Sequence, residues 1–259
     1  MSPPSEPEAR RSAPMARFFA GVMRRQLAAQ FRAVRIARPG LPDLPEGRPV
    51  MVVANHPSWW DPAVMIGLHE QLFPGREGFG PIEAAMLDKY PFMARIGLFG
   101  VEEGRRGAAG FLRTAGSLVE RSDRVLWITA QGRFADARER PIGLRPGAAH
   151  LLARAPHLVA LPLALEYPFW SEKRPEALLR FGAPIEAGAQ EGARDLAARL
   201  EAAVTENCDA LAALAMAREA SAFETAIGGA RGTGGVYGLW QRGRAMLSGR
   251  RFVPDHGEK

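Results

Sequence analysis

The stretch Pro49-Val50-Met51-Val52-Val53-Ala54-Asn55-His56-Pro57-Ser58-Trp59-Trp60-Asp61 decides how the rest of the chain is read. Its first six residues form an apolar, partly β-branched run that opens on Pro49 just after Gly47. That is the pattern of a buried strand. Such a strand delivers Asn55 and His56 to its C-terminal end, where open α/β sheets usually bind ligands. Asp61-Pro62 then reads as a helix start, because Asp accepts from the first amides and Pro suits the first turn. Ser58, with Asp61 three residues later, offers a competing capping-box start. In either case a turn of four residues separates the imidazole from the carboxylate. Asp61 can then hold one ring nitrogen of His56 and leave the other free to take a proton, as in the His–Asp half of a serine-protease triad. The same spacing also describes an ordinary histidine beside an ordinary helix cap.

Outward from this stretch, helical and strand patterns alternate. Gly75–Gly80 reads as a loop, residues 81–86 as a strand, Tyr90–Gly97 as a short helix and Phe99-Gly100-Val101 as a strand. Residues 108–121 form an amphipathic helical pattern, Val125–Thr129 a buried strand, residues 146–155 a helix and Leu158–Leu165 another strand. Leu178–Phe181 is expected as an edge strand and residues 190–217 as a long Ala/Leu helix. This alternation predicts an α/β sandwich. The expected organisation is a disordered segment over residues 1–14, a basic amphipathic helix and connector over 15–48, a main domain over 49–217, and a Gly-rich linker with a basic tail over 218–259.

Asn55, His56, Ser58 and Asp61 match Asn-His-x-Ser-x-x-Asp, the first motif of the glycerolipid acyltransferase family, and the chain resembles that family over roughly residues 49–185. The second family motif, Gly-x-Phe-x-x-acid-Arg, is similar at Gly97, Phe99 and Glu102, but Glu103 stands where Arg is expected. Thr129-Ala130-Gln131-Gly132-Arg133-Phe134 lies where the family has Phe-Pro-Glu-Gly-Thr-Arg, and only Gly132 matches. Leu161-Pro162-Leu163-Ala164 resembles the apolar fourth motif around a proline.

The resemblance implies a mixed, mostly parallel sheet flanked by helices, as in glycerol-phosphate acyltransferases, with the amphipathic helix at its N-terminus. It implies His56 and Asp61 as the catalytic general-base pair. It further implies Asn55, Ser58, Gly97, Phe99 and Gly132, with Arg105, Arg106 and Arg133, as acceptor- or donor-binding residues. The last three are the nearby arginines that can replace the missing motif arginines, whose fork holds two phosphate oxygens at once. The implied reaction moves a fatty acyl group from acyl-CoA or acyl carrier protein, as co-substrate, to a hydroxyl of a membrane lipid. No tightly bound cofactor is expected. With the motif arginines displaced, the acceptor need not be a glycerol phosphate. The rival readings are a lysophosphatidic acid acyltransferase and a non-catalytic membrane-binding module on a degenerate scaffold.

Composition bounds these expectations. The chain has 259 residues, enough for one large core. Its formal charge of +6 favours an anionic partner. On a helical wheel Met15, Phe18, Phe19, Val22, Met23, Leu27, Phe31 and Val34 share one broad face, opposite Arg17, Arg24, Arg25, Arg32 and Arg35. Such a helix either lies on an anionic membrane, at about 1 kcal/mol per Arg, or packs on the domain with a solvated Arg face. The expectation is peripheral binding at the cytoplasmic face of a membrane, with no nucleic-acid partner. No apolar run reaches the roughly 20 residues that span a bilayer, and the first fourteen residues lack a signal-peptide core. Cys208 is the single cysteine, which excludes an internal disulfide. His69, His150, His157 and His256 have no metal-ligand spacing, so no metal site is expected. No Gly-x-Ser-x-Gly elbow supports a hydrolase.

Overall fold

The computed structural model describes residues 6–229. Eight strands form one sheet: β1 (Ala33–Ala37), β2 (Val50–Ala54), β3 (Glu77–Glu83), β4 (Leu98–Val101), β5 (Arg124–Thr129), β6 (Val159–Glu166), β7 (Glu176–Phe181) and β8 (Phe223–Gly228). Their spatial order is β4-β3-β5-β2-β6-β7-β1-β8. The five strands from β4 to β6 are parallel. β7 turns antiparallel to β6, β1 runs parallel to β7, and β8 closes antiparallel to β1. The sheet is therefore mixed and mostly parallel, as the family resemblance implies, and its alternation with helices is the α/β class that the pattern predicts.

β2 sits between β5 and β6 and is buried along its whole length. A central strand covered on both faces needs apolar residues at every position, which is why this run does not alternate with polar ones. Alternation instead sends Val50, Val52 and Ala54 to one apolar layer and Met51 and Val53 to the other. The first layer is closed by α2 (Ala13–Gln30) and α3 (Asp61–Leu72). The second is closed by α5 (Gly104–Leu118), α6 (Gly147–Arg154) and α7 (Ala193–Ala217). Cys208 is buried within α7, and desolvation pushes its thiol up to about 12, so it serves packing.

Several boundaries differ from the sequence expectations. Residues 6–14 are not without structure. They carry α1 (Glu6–Arg10) and the start of α2, held by Glu8–Arg124 at 2.9 Å and Arg11–Glu77 at 2.8 Å. Charges that read as solubilising are in fact paired with the sheet. The helix expected over 15–38 stops at Gln30, and Ala33–Ala37 becomes β1. Arg35 keeps a strand position because Glu176 of β7 neutralises it at 2.9 Å. β7 is internal rather than an edge, since β1 and β8 extend the sheet beyond it. Glycines 78 and 80, expected in a loop, lie in β3. A side chain at Gly78 would run into the His69 ring and one at Gly80 would press on the Trp127 carbonyl, so close packing explains both. The expected linker from residue 218 contains β8. The remainder of the expected Gly-rich linker and basic tail, residues 230–259, lies outside the described residues, as do residues 1–5.

Candidate active site

β2 ends at Ala54, and Asn55 prolongs its pairing with side-chain atoms. The Asn55 amide donates to the Leu165 carbonyl at 3.0 Å and accepts from the Leu165 N–H at 2.8 Å. Both polar groups of this buried side chain are thus engaged with β6, which gives Asn55 a framework role. The next residue, His56, is fixed through its backbone. Its N–H donates to Gln131 Oε1 at 2.7 Å and its carbonyl accepts from Ala135 N–H at 3.0 Å. Gln131 is itself held by the Ile142 carbonyl at 2.8 Å.

The side chains then meet as the spacing predicts. His56 Nδ1 lies 2.6 Å from Asp61 Oδ2. A carboxylate only accepts, so Nδ1 carries the proton and Nε2 presents its lone pair. Nε2 has no protein partner among the described residues. Asp61 is fully buried and holds two further donors: Ser58 N–H on Oδ2 at 3.1 Å and the Tyr167 hydroxyl on Oδ1 at 2.6 Å. Desolvation raises the Asp61 pKa above the usual carboxylate range, while the bonds from His56, Tyr167 and Ser58 pull the other way. Burial also raises the Tyr167 phenol well above its ordinary value, so it stays a donor. Asp61 does not cap α3 by its side chain. It is the first helical residue, and Ser58 Oγ instead accepts from Trp60 N–H at 3.1 Å.

The remaining motif residues divide by location. Gly132 lies in the loop after β5 at φ 62°, next to Gln131, and its N–H is spent on the Thr129 carbonyl at 3.1 Å. Phe134, where the family motif has Arg, packs its ring 4.4 Å from the His56 ring and stays 58% exposed. Arg133 is ion-paired with Glu139. Gly97 and Phe99 do not reach the pair. Gly97, at φ 102°, turns the chain into edge strand β4, whose Leu98 pairs with Gly80 of β3 and so lies level with the middle of β2 but three strands away, and Phe99 is buried against Phe111. Arg105 and Arg106 begin α5 after edge strand β4, three strands from β2, or roughly 14 Å by strand spacing. Sequence reasoning missed Tyr167 altogether and saw Gln131 only as a lost motif acid.

A largely apolar cavity of about 120 Å³ is lined by Pro62, the residue after Asp61, among others. It follows the Pro62, Met65, Ile66 and His69 face of α3, opposite Ala16 and Ala20 of α2. His69 also lines it, accepting from the Trp127 indole at 3.1 Å and donating to the Arg76 carbonyl at 2.9 Å. Burial lowers the His69 pKa, which favours its neutral form, beside Arg11, Arg17 and Glu70 in the same lining. Among the described residues no cluster suits a metal ion and no helix is long and apolar enough to cross a membrane.

No curated protein matches the chain significantly. Among solved structures it is similar to the 1-acyl-sn-glycerophosphate acyltransferase PlsC from Thermotoga maritima, with a TM-score of 0.55 and 14% identity over 76% of this chain and 80% of that one. At that identity the likeness concerns the fold. The acyltransferase family model matches residues 35–166, which run from β1 to the end of β6 and include the His56–Asp61 pair. That match covers more than half of the sequence, and the chain belongs to the acyltransferase family.

Proposed function

We propose that the protein transfers a fatty acyl group from a thioester, acyl-CoA or acyl carrier protein, to a hydroxyl of a membrane lipid. The observation that carries this reading is the 2.6 Å His56–Asp61 bond with Nε2 left open. His56 takes the proton of the acceptor hydroxyl as the oxygen bonds to the thioester carbon. Asp61 fixes the tautomer and stabilises the imidazolium. As the carbon–sulfur bond breaks, the proton returns from Nε2 to the leaving thiolate. The oxyanion formed between these steps needs backbone donors. The Gly132 amide is occupied, whereas the amides of Arg133 and Phe134 have no protein acceptor among the described residues. The cavity along α3 suits the acyl chain, being apolar and contiguous with Pro62.

The acceptor in this proposal need not carry a glycerol phosphate. Arg133 is already neutralised, Arg105 and Arg106 are strands away, and an aromatic ring stands at the motif arginine's place. Contact with an anionic membrane is assigned to the Arg side of α2 and exposed Phe18, because Met23 and Leu27 are spent on the core. The cytoplasmic face follows in this reading from the thioester donor. The test is free-thiol release from palmitoyl-CoA in the presence of a polar lipid extract. The wild type should release thiol and form acylated lipid, and His56→Ala should do neither while keeping its circular dichroism. Near-normal turnover by His56→Ala would remove this base from the reaction.

A further inference from the structure

The segment from Ala130 to Pro146 wraps His56 and carries four arginines. Three are matched to carboxylates: Arg133 to Glu139, Arg138 to Asp136 and Arg140 to Asp209. Arg145 is exposed and has no carboxylate partner among the described residues. Its position is nevertheless defined. Its backbone N–H donates to the Ala130 carbonyl at 2.8 Å. Its guanidinium lies against Gly132, where an added Cβ would stand 2.6 Å from Cζ. Only a residue without a side chain leaves room for that flat group, and φ 62° at this position also favours glycine.

Gly132 in turn is bound into the catalytic loop. Gln131 before it holds the His56 amide, and Phe134 after it packs on the imidazole. A guanidinium resting on Gly132 therefore lies on the loop that holds the His56 backbone through Gln131 and covers its ring with Phe134. It is planar, permanently charged and has unspent donors in a fork that fits two oxygens. We infer that Arg145 binds an anionic headgroup group of the acceptor lipid, a carboxylate, phosphate or phosphodiester, while the acceptor hydroxyl meets His56. This rests on the acyl-transfer reading. The acceptor is favoured over the donor by reach. A headgroup anion lies a few bonds from its reacting hydroxyl, whereas a thioester carrier keeps its phosphates beyond the whole pantetheine arm.

The experiment measures equilibrium binding to the full chain of three probes: lysophosphatidic acid, monoacylglycerol as its counterpart without the anion, and coenzyme A. Arg145→Gln should weaken lysophosphatidic acid about tenfold or more and leave monoacylglycerol and coenzyme A unchanged. Arg145→Lys should fall between, and Gly132→Ala, which displaces the guanidinium, should behave like Arg145→Gln. Arg138→Gln, whose charge is already matched by Asp136, should bind all three as the wild type does. Equal weakening of all probes, or weakening of coenzyme A alone, would overturn the assignment. His56→Ala binds normally if only the chemistry depends on it. In the wild type, by contrast, absence of thiol release with every acceptor would sink the acyl-transfer reading while leaving the anion contact standing.

Discussion

At the scale of single residues, the site is a carboxylate with three donors and an imidazole with one free nitrogen. Asp61→Asn keeps the shape but turns an N–H toward His56 Nδ1, which moves the ring proton to Nε2 and removes the base. By analogy with the serine-protease triad, turnover should fall by roughly 10³–10⁴-fold with the fold intact. Tyr167→Phe removes the hydroxyl bond to Oδ1. Since that bond holds down a pKa that burial has raised, the Asp61 pKa should climb further. The proposed reaction needs the carboxylate, so the acid limb of the kcat/KM profile should move to higher pH. The same sign applies to stability. A raised carboxylate contributes fully below its ordinary pKa and loses that contribution as pH rises through the raised value, so the variant's deficit in urea should be larger at neutral than at acid pH. Phe134→Arg restores a guanidinium over His56 and should raise kcat/KM for lysophosphatidic acid relative to monoacylglycerol. The pair was legible because five residues of separation confine it to one loop. Tyr167 was not, because a tyrosine one residue past a strand carries no local sign of what lies across the sheet.

At the scale of elements, the buried strands and the long helices follow from their apolar patterns, and β2 and β5 follow almost residue for residue. The misread elements share a cause. β1 and β8 are short, carry Arg35, Glu224 and Thr225, and become strands only by pairing with partners far along the chain. Arg35 is enclosed by Glu176, Thr225 and the Trp170 ring. A charge on a helical wheel looks solvated, and only the fold reveals that it is buried and paired. Glu176→Ala leaves that guanidinium buried without its counter-ion, which should cost about 3–5 kcal/mol, read as a lower urea midpoint. The loss should exceed that from Glu139→Ala, where the pair with Arg133 is exposed and worth about 1 kcal/mol or less.

At the scale of the whole molecule, α2 and α3 form one wall of the cavity, whose lining runs along α3 from Pro62 to Glu70. Pro62 and His69 stand seven residues apart on α3, about 10 Å along its axis. In the proposed reaction this sets the length of chain accepted. Ala20→Leu narrows the cavity from α2 and should shift preference toward shorter acyl thioesters, by about tenfold in kcat/KM ratio across a chain-length series. An unchanged ratio would place the acyl chain elsewhere.

His56 and Asp61 are neighbours in sequence, but their supports are not: Gln131 stands 75 residues past His56, and Tyr167 stands 106 past Asp61. A nascent polypeptide that has left the ribosome only as far as α3 already owns its imidazole and acid, yet lacks everything that aligns them. The full set of bonds that holds the pair is therefore complete only once translation has passed residue 167.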